Sequence, residues 1–181
     1  MTLAEIYTTI CSLVYGDPVA SPPPAHEVAR IQDEILMLHH KVQQDYNYWF
    51  MYYRTVLALI SGTYTYTLPT AYKELIRLDT DYDYEMMGTV IFFPNSDVTE
   101  TEDVRFDYWK FLTTPAAWSN IFTDAVTQYC HWIIIYSVVA SLLLKREGVQ
   151  MAQFYMAKAE DAAASAQNED FFRRQDPKTT W

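Results

Sequence analysis

The sequence predicts an α+β fold, predominantly helical: a helix bundle with two long C-terminal helices and a small antiparallel β-sheet inserted between helices. Three observations predict it. Residues 121–144 form the longest apolar run free of Gly and Pro. Its centre, Trp132-Ile-Ile-Ile-Tyr-Ser-Val-Val-Ala-Ser-Leu-Leu-Leu144, is hydrophobic on almost every side, which asks for burial all round rather than along one stripe. Apolar residues also recur at helical spacing in 28–42 and 149–166. Over about 50–112 that periodicity gives way to aromatic and β-branched residues separated by turn signals, which is strand chemistry.

Taken in order, Thr2 and Glu5 make a capping box ahead of Leu3, Ile6, Ile10 and Leu13, and Gly16-Asp17-Pro18 ends that helix. Ser21-Pro-Pro-Pro24 is stiff and leads into a second helix. Its seam is Val28, Ile31, Ile35, Leu38 and Val42. It is as narrow as in a bundle or coiled coil, with Arg30, Asp33, Glu34 and Lys41 off it. Strands are expected at about 51–59, 63–67, 75–79, 89–93 and 104–111. Ser61-Gly62 turns the chain after the first, and Pro69 stops the second.

After Pro115 comes the core helix, with Trp132, Ile133, Ile135, Val139 and Leu143 inside. Lys145-Arg146 suit its C-terminus and Gly148 its cap. Its all-round hydrophobicity requires enclosure by two layers of this chain or cover from a neighbouring subunit. It is too polar at Thr127, Gln128 and His131 to span a membrane, which needs about 20 apolar residues. The last helix places Val149, Ala152, Met156, Ala159, Ala163 and Ala166 on one face, and small alanines permit close packing. The expected helices are 2–15, 24–46, 117–147 and 149–168, making one domain over 1–170. A C-terminal arm, 171–181, follows; Pro177 argues against helix there.

Half of the 181 residues are hydrophobic, which excludes a disordered chain. Fifteen Tyr, nine Phe and five Trp are a heavy aromatic load, suited to contact surfaces. A formal charge of -10 argues against a surface built to hold nucleic acid. Cys11 and Cys130 are too far apart in sequence to make a framework of bridges, which fits a reducing compartment. The N-terminus shows no basic region followed by an apolar run, so folding in the cytoplasm is expected.

The four glycines, Gly16, Gly62, Gly88 and Gly148, are scattered, so no phosphate-cradling loop or dinucleotide fingerprint can be built from them. His26, His39, His40 and His131 each lack a His, Cys, Asp or Glu three or four residues away, the spacing of a helical metal pair, and read as structural. Asp79-Thr-Asp-Tyr-Asp-Tyr-Glu85 has Tyr84 and Val90 where a calcium loop needs Gly and Glu, and reads as an acidic hairpin arm. Asp97, Glu100, Glu102 and Asp103 read as a solvated acidic loop. No nucleophile elbow is present, and no cofactor or enzymatic activity is expected.

Gly62-Thr-Tyr-Thr-Tyr-Thr-Leu-Pro69, followed by Tyr72, Leu75 and Leu78, resembles a segment of the head-to-tail adaptor (connector) proteins of tailed bacteriophages. In that family a helical N-terminal region precedes it. A Tyr-rich strand ending near a proline follows, here Tyr108-Trp109-Lys110 to Pro115, and then two long helices. The resemblance covers roughly residues 28–168.

It implies a virion structural protein at the capsid–tail junction. Twelve copies would form a ring under the portal protein, extend the DNA channel and offer a platform to tail or tail-nozzle proteins. DNA would pass without specific binding, and no membrane is involved. The resemblance also assigns portal binding to the arm through Phe171, Phe172, Arg173, Arg174, Lys178 and Trp181. Tyr82, Tyr84, Asn95 and Ser96 are assigned to tail-side or subunit contacts. Two other readings stand beside it: a tail-completion or tail-tube-end protein, and a small-ligand binder or enzyme using the acidic loops and the aromatic cluster 46–53.

Overall fold

In the computed structural model, described for residues 1–16, 22–94 and 98–175 and for side chains through Glu169, five helices accompany six strands. The order is α1 (Leu3–Tyr15), α2 (Ala25–Asp45), β1 (Tyr52–Leu59), β2 (Thr65–Thr67), β3 (Tyr72–Leu78), β4 (Glu85–Met87), β5 (Val90–Phe92), β6 (Glu102–Lys110), α3 (Ala125–Tyr129), α4 (His131–Arg146) and α5 (Val149–Gln175). A 3-10 turn, Trp49–Met51, precedes β1. The fold is α+β with long C-terminal helices, as the hydrophobic patterning predicts. By contact density the chain divides into a helical unit, Met1–Tyr48 with the helices after Leu112, and a β unit, Trp49–Leu112.

In the helical unit α4 is the axis. Ile133, Ile134, Ile135, Val138, Val139, Ala140, Leu142 and Leu143 are all buried, and α1, α2 and α5 pack against it. Enclosure by this chain's own helices therefore meets most of the demand for burial. Trp132 is the exception: expected inside, it is 42% exposed, stacked on Tyr136 at the edge of the α4–α5 packing.

Helix α1 starts with the expected capping box. The Thr2 hydroxyl accepts from Glu5 N at 3.2 Å, and Glu5 Oε2 accepts from Thr2 N at 2.8 Å. Leu3, Ile6, Ile10 and Val14 are buried, whereas Leu13 points outward. Tyr15 ties three helices together. Its hydroxyl donates to Glu27 of α2, and the Arg146 guanidinium of α4 sits 4.4 Å from its ring centroid. Burial, then the hydrogen bond to Glu27, push the Tyr15 pKa up to about 12.

The expected helix over 117–147 is corrected at its start. Residues 116–124 are not helical; Trp118 packs edge-on against Tyr7 and Phe122 O accepts from Leu3 N at 3.0 Å. The first helical turn begins after Asp124, whose Oδ1 accepts from Thr127 N at 2.9 Å while Thr127 Oγ1 accepts from Asp124 N at 2.9 Å. Cys130, at φ -114 and ψ 9, then separates α3 from α4. At the other end α5 runs to Gln175 rather than stopping at 168. Pro177 disfavours helix only for itself and the residue before it, so its reach extends back no further than position 176.

In the β unit, β6 lies between β1 and β3, antiparallel to both, and β5 lies between β2 and β4, again antiparallel. One sheet was expected and two three-stranded sheets form. Strand β4 had no sequence signal, since Glu85-Met86-Met87 lacks β-branched and aromatic residues. Gly88, at φ +61, makes its two-residue turn into β5. Between the sheets lies one core of Leu59, Leu68, Leu78, Ile91, Phe93, Val98, Val104, Phe106 and Tyr108. The Gly62…Leu68-Pro69…Tyr72…Leu75…Leu78 residues build this unit. Gly62 turns at φ +77, Leu68 and Leu78 enter the core, and Tyr72 and Leu75 pack on it.

Candidate functional site

Three polar or aromatic constellations stand out, and two of them lie at the surface. The first lies on α4 and α5. Of the described α5 side chains, Ala152 and Ala163 are buried, while Val149, Met151, Phe154 and Met156 are exposed. That corrects the expectation of an inward face containing Val149 and Met156. The alanines let the helix sit close to α4, and the large apolar side chains are left outside.

Trp132 stacks on Tyr136 with ring centroids 5.1 Å apart, Tyr136 meets Tyr155 at 6.0 Å, and Tyr155 meets Phe154 at 5.3 Å. The ammonium of Lys158 lies 4.8 Å from the Phe154 ring centroid and 5.4 Å from that of Tyr136, within cation–π range. Beside this aromatic belt runs an open groove of about 470 Å³, with Gln128, His131, Trp132, Asp161, Ser165 and Glu169 among its lining residues. Burial lowers the His131 pKa, against backbone hydrogen bonds to Gln128 and Thr127 that raise it.

The second constellation is on the outer face of the β1-β6-β3 sheet. Register puts Arg54 of β1 and Arg77 of β3 on either side of Asp107 of β6. Arg105 lies two residues along β6, on the same face. Asp107 is 2% exposed. Arg54 Nε donates to its Oδ1 at 3.0 Å and Arg105 Nε to its Oδ2 at 2.7 Å, with a second bond from Arg105 Nη2. Arg54 Nη2 also donates to the Tyr52 hydroxyl at 2.8 Å. Burial pushes the Asp107 carboxyl up, but hydrogen bonds from Arg105, Arg54 and Tyr52 outweigh it and hold its pKa below the ordinary value. The pKa values of both arginines are raised, chiefly by their hydrogen bonds to Asp107.

The third is largely buried. His39 is wholly buried, and its Nε2 lies 3.0 Å from Asp124 Oδ2. A carboxylate only accepts, so Nε2 carries the hydrogen. Gln43 Nε2 and Thr114 Oγ1 each lie 3.4 Å from His39 Nδ1, and the Phe122 ring is edge-on to the imidazole. Asp124 thus caps α3 with one oxygen and holds α2 with the other. This agrees with the structural reading of His39. Its partner comes from 85 residues away, beyond any local spacing rule.

Ile133, Ile135, Val139 and Leu143 lie in the core of the helical unit. Tyr82 and Tyr84 are half-buried, their rings packed on Phe93 at 6.5 and 6.3 Å, and brace the acidic segment. Asn95, Ser96, Lys178 and Trp181 lie outside the described residues. Phe171, Phe172, Arg173 and Arg174 fall on the last turns of α5, with their side chains outside the description. The arginine face was missed from sequence. Its signal was the alternation Arg105-x-Asp107, placing opposite charges on one strand face, beside a lone arginine on each neighbouring strand. Among the described residues no group of His, Cys, Asp or Glu could hold a metal ion, and no helix is long and apolar enough to cross a membrane. Compared with models of protein families and with curated proteins, the sequence matches none.

Proposed function

We propose that this protein is a head-to-tail adaptor of a tailed bacteriophage, a virion component that joins capsid to tail. Twelve copies form a ring beneath the portal protein and extend the DNA channel, and the ring's far side receives a tail or tail-nozzle protein. The observation that carries this reading is the exposed aromatic and apolar belt on α4 and α5. Burying a Phe or Met side chain gains roughly 1.5–3 kcal/mol before the costs of association. Trp132 and Phe154, linked through Tyr136 and Tyr155, with Met151 about one turn from Phe154, therefore offer apolar surface for a subunit interface. The residues that carry the family resemblance, Gly62, Leu68, Tyr72 and Leu78, turn the chain or pack in the β unit. A net charge of -10 per copy repels phosphates, which suits a channel through which DNA must slide.

The C-terminal arm, 171–181, is the portal-binding segment in this reading, because aromatic and Arg side chains are the common anchors of interfaces. Co-sedimentation with the portal ring encoded in the same genome tests both statements. The full chain is expected to travel with the portal, and a chain ending at residue 170 to stay behind. Failure of both chains to bind contradicts the adaptor role. Equal binding by both leaves the role standing and moves the portal contact elsewhere.

A further inference from the structure

We infer that the arginine face of the β1-β6-β3 sheet is the docking site for the acidic segment Asp81–Glu85 of a second copy of this chain. The inference rests on the ring reading only for the identity of that partner.

The receiving side is preorganised. Asp107, buried at the centre of the sheet, accepts hydrogen bonds from Arg54 and Arg105 and so fixes both guanidinium groups. Their side chains remain 35% and 38% exposed, so the charged ends reach the surface. Arg77 stands across the sheet, paired with the exposed Asp79. Adjacent strands are about 4.8 Å apart, which sets Arg54 and Arg77 about 10 Å apart with Asp107 between. Beside them Val56 is 62% exposed, an apolar contact at the rim of the charge. Glu74 and Asp103 lie at opposite ends of the same face, so an acidic partner is repelled at the ends and held at the centre. That arrangement gives register as well as attraction.

The donating side is equally defined. Along 81–85 exposure alternates: Asp81, Asp83 and Glu85 face out, while Tyr82 and Tyr84 turn in against Phe93. The tyrosines hold the segment against Phe93, which leaves its three carboxylates exposed. Among the described residues none of the three has an ion-pair partner. Two different surfaces of one chain that fit each other make a head-to-tail contact. Such a contact closes into a ring when the rotation allows, as a self-complementary patch does not. Charge contributes orientation and register here.

The test is sedimentation equilibrium of the full chain, alone and with the portal ring, at low and high salt. Wild type is compared with Asp81→Lys/Asp83→Lys, with Arg77→Glu, and with the combination of all three changes. Arg54 and Arg105 are left intact so that Asp107 keeps both partners and the sheet stays folded. Each one-sided variant is expected to weaken contact between copies by at least about tenfold at low salt. The combined variant recovers part of that loss, and high salt weakens the wild-type contact. One-sided variants that associate as tightly as wild type overturn the inference, as does a wild type that contacts another copy in neither setting. A wild type that self-associates with this charge pattern but ignores the portal contradicts the adaptor role alone. Charge variants that join the portal ring as fully as wild type contradict this contact alone.

Discussion

Asp107 sits at the centre of β6 with both oxygens engaged by arginine, and its chemistry fixes how the β unit responds to acid. A carboxylate this deeply buried is costly unless its lone pairs are satisfied, and Arg54 and Arg105 satisfy them. Its folded-state pKa is lowered from the ordinary 3.8. The stability it contributes is therefore fully present above the unfolded value and is lost as pH falls through the folded one, below about pH 4. Asp107→Asn is expected to lower stability at neutral pH by about 2 kcal/mol, since the arginines it abandons are partly solvated. The variant should also flatten the acid limb of a urea-unfolding series. A wild-type series with no such limb below pH 4, or one that Asp107→Asn leaves unchanged, contradicts this account of the residue. His39 is the counterpart in the helical unit, and its partner Asp124, like Asp107's partner Arg54, comes from too far along the chain to be legible in the sequence. A strand pattern shows which face a residue takes, but Arg54 meets Asp107 only through a pairing 53 residues distant.

At the scale of elements, what the sequence made legible was what local physics decides. The capping box of α1, the axis position of α4 and the turn at Gly62 each follow from residues within a few positions of one another. The break at Cys130, the strand β4 and the outward face of α5 did not. The start of α3 depends on Asp124, which caps it while also holding His39. Strand β4 exists because β5 offers it an edge, and α5 turns its large side chains out because alanines let it approach α4. The exposed belt gives a prediction of its own. Met151→Ser with Phe154→Ser removes apolar surface that touches solvent, so the monomer's melting temperature should stay within about 2 °C, as surface changes usually do. Assembly into a ring on the portal should fall sharply. Substantial unfolding of the variant would place these side chains in the core, and unimpaired assembly would remove the belt from the interface.

The molecule combines a net charge of -10, a helical unit with exposed aromatic and apolar side chains, and a β unit whose outer face carries three arginines, each paired with an aspartate. Each of these has an ordinary use at a subunit boundary, which is the use the proposed ring would make of them. In the proposed ring the apolar belt would contribute most of the free energy, because exposed ion pairs are worth only about 0–1 kcal/mol each. The charges decide which surfaces meet. The measurement that tests this most directly is the native mass of the complex formed by the full chain with its portal ring. The account predicts a single species of one portal ring plus twelve copies. A portal ring that remains bare while the chain stays folded and soluble beside it would contradict the account at its centre.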